Sequence, residues 1–215
     1  MISDEYRCIY VHIPKTAGTT IESILGHRGT QDHRPIRHLV SITPALAYRL
    51  VANQEWTDLY RLMVNVVKHN KTATHQQFRE YFKFTIVRNP WARAFSWYRG
   101  VMRDSKMQKT LHVPATCTFR DFLFKYPDNY GLLPQRYWLQ DLDGRIPFDF
   151  IGRFENLDAD LAHLLDVLNI REKELPWLLP GDHLDYHDFF DGEMIDLVAR
   201  RYSWEIECFT YDFEG

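Results

Sequence analysis

The sequence has few cysteines, and none of them is paired in the way that builds disulfide frameworks or zinc sites. Its three cysteines, Cys8, Cys117 and Cys208, lie far apart along the chain and include no CxxC motif. This scattered, odd-numbered set fits a reduced compartment, so each thiol is expected to be a small buried apolar side chain. The histidines and carboxylates also lack HExxH, EF-hand or Cys/His spacing, so no metal is expected.

Long apolar runs and an excess of one charge are missing as well. The N-terminal residues include Asp4 and Glu5 and only a short apolar stretch, which predicts no secretory signal, no membrane anchor and a cytoplasmic location. The formal net charge is −3, so no nucleic-acid partner is expected. Any site for an anion must therefore be built locally.

The composition is that of a folded globular protein. With 215 residues, of which 45% are hydrophobic and 15% aromatic, the chain has enough apolar material for one sizeable core. Two full domains would need a longer chain, and no internal repeat or long linker is visible. We therefore predict a single domain over residues 1–215.

Strands and helices are predicted to alternate. Runs of β-branched and aromatic residues predict strands at residues 8–13, 82–87 and 148–154. Helices are predicted at residues 19–25, 44–67 with a break at Asn53, 90–102, 119–126, 157–168 and 193–202. The polar residues 27–38 are expected to be a solvated surface loop. This order favours an α/β fold with a mainly parallel central sheet and ligands at the carboxyl ends of its strands.

The first strand runs into a loop that suits an anion. The loop contains one cation, three hydroxyls and one glycine, in the order Pro14, Lys15, Thr16, Ala17, Gly18, Thr19 and Thr20. Backbone N–H groups at a helix start attract phosphate-like groups, and Lys15 can add a mobile charge. A Walker A lysine follows the second glycine, whereas Lys15 precedes the only one here, so a nucleotide kinase is the weaker interpretation. A surface lysine beside helix-capping threonines fits this loop equally well.

The second strand also ends in a candidate phosphate site. Arg88 stands at the strand end and Ser96 in the following helix. A guanidinium can donate two parallel hydrogen bonds to a phosphate, and a hydroxyl can complete its shell. Arg93 either adds positive field there or is an exposed helix arginine. The nearby aromatic residues are expected to be core: Trp91, Phe95, Trp97 and Tyr98.

Together these two junctions resemble the sulfotransferases that use 3′-phosphoadenosine 5′-phosphosulfate (PAPS), especially the carbohydrate-sulfotransferase branch with its soluble bacterial relatives. HIPKTAGTT is similar to that family's 5′-phosphosulfate loop, and FTIVRNPWARAFSWY to its 3′-phosphate motif. FIGRFENL at residues 150–157 and the segments at residues 183–190 and 206–213 also resemble the family. Residues 28–67 are the least recognisable part.

The resemblance implies a P-loop-like, three-layer α/β fold and transfer of a sulfuryl group from PAPS to a hydroxyl of a carbohydrate or other small acceptor. It implies that Lys15 contacts the bridging oxygen of the leaving phosphate and that residues 14–20 hold the 5′ end. Arg88 and Ser96 would bind the 3′-phosphate. Neither the membrane anchor of the Golgi members nor the RKGxxGxW loop of the cytosolic hormone and phenol sulfotransferases is found, which leaves the acceptor open.

The reaction needs a base, and histidine suits that role near neutral pH. His69 lies at about the place where the glycan-modifying relatives carry a catalytic histidine, and His75 competes with it. Glu155 is expected to cap a helix rather than to act across the site. His183 and Tyr186 are candidates for lining the cofactor site.

Two other functions stay open at this point. One is an ATP-dependent small-molecule kinase, against which the missing Walker A lysine argues. The other is a nucleotide-binding protein without catalysis, which would bind 3′-phosphoadenosine 5′-phosphate and turn over no acceptor. The oligomeric state is also left open.

Overall fold

The computed structural model describes residues 1–26, 31–170 and 184–214. Within them, a four-stranded sheet has the order β1-β2-β3-β4, made of Ile2–Ser3, Cys8–Val11, Phe82–Val87 and Phe150–Arg153. Strands β2, β3 and β4 are parallel, whereas the two-residue β1 is an antiparallel edge strand. The predicted mainly parallel α/β sheet is confirmed.

The helices follow the predicted order closely. In the described part of the chain they are α1 (Gly18–Ile24), α2 (Pro44–Ala52), α3 (Trp56–Val67), α4 (His75–Glu80), α5 (Pro90–Arg103), α6 (Ser105–Leu111), α7 (Phe119–Lys125), α8 (Arg136–Leu139), α9 (Leu157–Val167), α10 (Gly192–Arg201) and α11 (Ser203–Phe209). The break predicted at Asn53 separates α2 from α3. Thr118 caps α7 by accepting a hydrogen bond from Asp121 N, as a threonine at that position favours.

Helices cover both faces of the sheet because successive strand residues point to opposite sides. On one face, Tyr10 and Phe84 pack against apolar residues of α1 and α9. On the other face, Ile9 and Val87 join a larger core with Trp91 of α5. Trp91 and Phe95 are buried and Trp97 and Tyr98 pack partly buried against the same core, so the aromatic residues of α5 are core, as predicted.

The expectation of a solvated loop at residues 27–38 is wrong for its last part. Residues Ile36–His38 form a short 3₁₀ helix in which Ile36 is fully buried. The imidazole of His38 is buried too, with Nε2 2.6 Å from Asp58 Oδ1. This segment is held because Ile36 reaches the core and Asp58 satisfies the buried imidazole. His27 and Arg28 lie outside the described residues.

The cysteines are only partly as expected. Cys8 and Cys117 are buried, whereas Cys208 is exposed, and all three are free thiols. The prediction of burial is therefore wrong for Cys208, which lies on the outer side of α11. Among the described helices, none has the length and apolar character needed to cross a bilayer.

Candidate active site

The turns after the parallel strands meet at one edge of the sheet. Val87 of β3 lies beside Arg153 of β4, and Val11 of β2 lies beside Thr85 of β3, so all three strands end on the same side. The two predicted junctions are brought together there, because Arg88 Nη1 donates a hydrogen bond of 3.1 Å to the carbonyl of Lys15. The carboxyl edge of a parallel sheet is where α/β proteins bind ligands.

The first loop has an unusual backbone for residues other than glycine. Lys15 and Ala17 have φ values of 70° and 66°, in the left-handed region. Between them, Thr16 is fully buried and its hydroxyl donates to Ile13 O at 2.9 Å. Left-handed residues in a tight turn direct backbone N–H groups into a concavity that suits an anion. The Thr16 hydroxyl is thus committed to the turn itself.

Gly18 is needed because the imidazole of His12 lies directly against it. A Cβ atom on Gly18 would be 1.9 Å from His12 Nε2. His12 is 3% exposed, and its Nδ1 lies 3.0 Å from Oε1 of the buried Glu22. Sequence reasoning missed both residues, although Glu22 stands one helical turn after Gly18 and could have been examined as a neighbour of the loop.

Lys15 reaches across to α5. Its Nζ atom lies 3.5 Å from the place where a Cβ on Gly100 would be. Ser96, which is half-buried, is one helical turn before Gly100 and therefore on the same face of α5. Burial lowers the pKa of Lys15, and the nearby charges of Arg88 and Arg103 lower it further. An anion bound here would relieve the repulsion among these cations.

Arg88 is held on several sides and still has an unused donor. The side-chain amide of Gln135 bonds both backbone groups of Arg88, each at 2.9 Å, and Gln135 is itself bonded to the buried Glu205. The guanidinium lies 3.9 Å from the centre of the Phe154 ring. Burial lowers the pKa of Arg88 to about 10, and its Nε is buried without a hydrogen-bond partner in the described structure. Gln135 and Glu205 carry no sequence motif and were missed.

Glu155 acts across the site rather than as a helix cap. Asn156 is the N-cap of α9, so the predicted capping role of Glu155 is wrong. Its Oε1 accepts a hydrogen bond of 2.7 Å from Asn89 N, and its Oε2 accepts one of 3.1 Å from the Tyr211 hydroxyl. The short 3₁₀ helix Phe154–Asn156 displaces the carboxylate from the helix start toward the turn after β3. Glu155 thus fixes the backbone next to Arg88.

Arg93 is a structural residue. It is only 1% exposed, so the interpretation as an exposed helix arginine is wrong. Its Nη1 donates to Gly131 O at 2.8 Å and its Nη2 to Leu133 O at 2.6 Å. The guanidinium therefore holds residues 131–133 against α5, and both terminal nitrogens are used for that purpose.

Of the two cofactor-site candidates in the C-terminal segment, the structure describes Tyr186. The Tyr186 hydroxyl donates to Phe213 O at 2.6 Å. Tyr186 is also among the groups whose charge affects the pKa of Arg88, which places it on the Arg88 side of the site. Its contact with a cofactor stays a prediction. His183 lies outside the described residues.

The two histidines predicted as candidate bases are not brought to the loops. His69 is exposed at the end of α3, in a left-handed conformation with φ 52°. Two residues later, Lys71 Nζ lies 2.5 Å from Asp4 Oδ2, in the turn that precedes β2. The imidazole of His75 lies 3.2 Å from Ser41 O. The catalytic role of either histidine stays a prediction.

The geometry of the site defines a class of protein. It belongs to an α/β protein with cationic side chains where two neighbouring parallel strands end, at the edge where such proteins bind ligands. Lys15 lies at the first of these strand ends, and Arg88, with Ser96 on the next helix, lies at the second.

Comparison with known proteins identifies the family within this class. The chain belongs to the sulfotransferase family, whose sequence model matches residues 1–212. Carbohydrate sulfotransferase 14 from Homo sapiens is 23% identical over 98% of this chain and 59% of its own length. Carbohydrate sulfotransferase 12 from Xenopus laevis is 24% identical over 79% of this chain and 48% of its own length. Heparan-sulfate 6-O-sulfotransferase 2 from Gallus gallus is 26% identical over 49% of this chain and 30% of its own length.

The chain therefore spans less than two thirds of each of these relatives. No solved structure matches it.

Proposed function

We propose that the protein transfers a sulfuryl group from PAPS to a hydroxyl of a carbohydrate or another small acceptor. The observation that carries this proposal is the meeting of the two predicted anion loops, where Arg88 Nη1 donates a hydrogen bond of 3.1 Å to Lys15 O. Membership of the sulfotransferase family and the names of the relatives support the reaction type. We also infer a P-loop-like fold in a single domain, since the loop after the first parallel strand runs into a helix.

The residues of the site fit a donor that is negatively charged at two places. Residues 14–20 would hold the 5′ end, where Lys15 and Ala17 shape a concave turn. Arg88 and Ser96 would hold the 3′-phosphate, because a guanidinium pairs well with an oxyanion and Ser96 lies on the helix that follows Arg88. ATP lacks the 3′-phosphate and would leave this second subsite unfilled, which argues against a kinase.

Bound PAPS supplies the activated sulfuryl group, and the protein supplies charge and position. Lys15 stabilises the negative charge that grows on the leaving oxygen, and its partial burial makes this interaction stronger than it would be in water. The same burial lowers the pKa of Lys15 in the free protein, whereas an anionic ligand raises it again, so the ammonium stays protonated during the reaction. Arg88, Glu155 and Gln135 keep the second loop rigid.

One part of the mechanism rests on sequence alone. A base must receive the proton of the acceptor hydroxyl, and His69 is the residue proposed for it from the resemblance to the family. His69 lies at the exposed end of α3. His69→Gln, with His75→Gln as the control, tests this role by turnover measured together with binding of 3′-phosphoadenosine 5′-phosphate.

The test is direct transfer from PAPS to a defined panel of acceptors. The panel contains chondroitin, dermatan and heparosan oligosaccharides and neutral methyl glycosides, and mass spectrometry detects both the sulfated acceptor and 3′-phosphoadenosine 5′-phosphate. We expect sulfation with PAPS, loss of it in Lys15→Ala, and no phosphorylation with ATP. Lys106→Ala, at an exposed lysine of α6, is the matched control and should keep full activity.

Two results would contradict the proposal. Phosphorylated acceptor formed from ATP would indicate the kinase. Binding of 3′-phosphoadenosine 5′-phosphate without transfer to any member of the panel would favour a nucleotide-binding protein without catalysis.

A further inference from the structure

The outward surface of α3 is apolar. In the described part of the chain, twelve large hydrophobic side chains are exposed, and seven of them belong to α2 and α3. Five of the seven are in α3: Trp56, Tyr60, Met63, Val66 and Val67. Single exposed apolar residues are ordinary, whereas a concentration of them on one element marks an interaction surface.

Four of these residues form a row along the helix, which we call the α3 stripe: Trp56, Tyr60, Met63 and Val67. Their spacing alternates between four and three residues, which keeps the side chains on one face, as in the seam of a coiled coil. Each side chain is between 54% and 75% exposed. The other side of α3 is anchored, because Leu62 is buried and Asn65 Nδ2 donates to His38 O at 2.9 Å. The α3 stripe is therefore held facing outward.

The charged side chains of the helix lie away from the stripe. Asp58 Oδ1 is 3.0 Å from Arg37 Nε and 2.6 Å from His38 Nε2, on the side of α3 that packs against the protein. Arg61 lies toward the same side: burial lowers the pKa of His38, and the nearby charges of Arg37 and Arg61 lower it further. The stripe is thus an unbroken apolar surface about 17 Å long, at 1.5 Å per residue.

The stripe is complementary to a second copy of itself turned end to end. Trp56 and Val67 are equally far from the midpoint of α3, and so are Tyr60 and Met63. A two-fold axis at this midpoint sets Trp56 against the partner's Val67 and Tyr60 against the partner's Met63. Each pair joins an aromatic ring to a smaller or more flexible side chain, which favours close packing.

The ends of α3 favour the same antiparallel arrangement. Glu55 is the N-cap of the helix and Lys68 its C-cap, so the acidic end of one copy lies beside the basic end of the other. The two helix dipoles then also run in opposite directions. A parallel pair would instead bring like charges together at each end and set Trp56 against the partner's Trp56.

The exposed area suits a dimer of modest size. An aromatic side chain buries roughly 150–250 Å², so Trp56 and Tyr60, which are 57% and 63% exposed, present roughly 180–300 Å² per copy. Met63, Val66 and Val67 add three more exposed apolar side chains. The helix can therefore supply much of the roughly 600 Å² per partner at which specific interfaces begin.

We propose that the α3 stripe is a dimer interface, through which two copies of this chain pair with their α3 helices antiparallel. The occupant is a second copy because the stripe matches itself both in the size of its side chains and in the charges at its ends. This inference is independent of the proposed function, since the stripe residues lie outside the two strand-end loops that form the donor site.

The experiment measures self-association of the complete chain by sedimentation velocity over a range of concentrations. Tyr60→Glu and Met63→Lys each place one charge in the middle of the interface. Val167→Lys, at an exposed apolar residue of α9, is the matched control. Urea unfolding and binding of 3′-phosphoadenosine 5′-phosphate check that each variant is folded. Because both substituted residues of α3 are exposed, the variants are expected to fold.

We expect the wild type and Val167→Lys to dimerise with the same Kd. Each single α3 variant should raise that Kd at least roughly 100-fold, because a charge buried at an interface without a partner is costly. An equal mixture of the two α3 variants should dimerise again, since the new carboxylate of one copy then faces the new ammonium of the other. This recovery is specific to the antiparallel register.

Three results would overturn the proposal. The first is a wild type that stays monomeric at every concentration, and the second is dimerisation of both single α3 variants with the Kd of the wild type. The third is a mixture of folded α3 variants that stays monomeric, which would exclude the antiparallel register. A monomeric wild type in which Tyr60→Glu raises the KM of the acceptor would assign the α3 stripe to the acceptor instead.

Discussion

Replacing Gly18 with alanine tests the packing on which the first loop depends. The new Cβ would lie 1.9 Å from Nε2 of His12 and 2.0 Å from its Cδ2, so either the ring or the start of α1 must move. The ring is not free to move, because His12 is 3% exposed and bonded to Glu22 at 3.0 Å. The ring of His33 is also close, with its centre 4.1 Å from that of His12.

The expected cost follows from these contacts. Overpacking a dense interior costs about 1–3 kcal/mol. If the ring moves, the buried hydrogen bond to Glu22 is strained or lost, which adds about 1.5–3 kcal/mol for a charged partner. We therefore expect Gly18→Ala to lower the free energy of unfolding by about 3–5 kcal/mol, a large part of the usual 5–15 kcal/mol. Urea unfolding followed by tryptophan fluorescence measures it.

Two controls separate this collision from a general effect of alanine. Gly192 is the first residue of α10, as Gly18 is of α1, and a Cβ there would meet no atom within 4 Å. Gly192→Ala should therefore be neutral or slightly stabilising. In a His12→Ala background, Gly18→Ala should cost less than about 1 kcal/mol, because the colliding ring is gone. An equal cost of Gly18→Ala with and without His12 would refute the reasoning.

Three further predictions concern the charges of the site. Lys15→Ala should lower turnover far more than it weakens binding of 3′-phosphoadenosine 5′-phosphate, because the growing charge exists only in the transition state; equal losses would make Lys15 an ordinary anchor. Arg88→Ala should abolish the preference for nucleotides with a 3′-phosphate over AMP in calorimetry, and a retained preference would exclude the two-point model. The free energy of unfolding should fall as the pH is lowered from 6.5 to 4. In this range His33 takes up a proton in the unfolded chain but not in the folded protein, where its pKa is about 4. This contribution is at most about 3 kcal/mol, and pH-dependent unfolding should show it removed in His33→Asn; an unchanged profile would contradict it.

Local chemistry was enough to predict much of this fold from the sequence. The strand at Phe82–Val87 and the helix start at Pro90 were predicted to the residue, because a β-branched run ends there at a proline whose fixed φ suits a first helical turn. Lys15 and Arg88 could be expected at one site because parallel strands end at the same edge of a sheet. These are properties of short segments and of sheet geometry, which sequence patterns express.

Only the tertiary structure decided which partners the polar side chains have. Glu155 bonds Asn89, which is 66 residues away, and Arg93 bonds Gly131, which is 38 residues away. Each of these side chains had an alternative local role, as a cap or as an exposed cation, that the same sequence pattern describes equally well. When distant segments pack together, they remove water from a polar side chain and supply its hydrogen-bond partners. A buried polar group without such partners costs too much free energy to persist. For the same reason His33, a residue of a polar segment in the sequence, is partly buried beside His12, and this burial lowers its pKa to about 4.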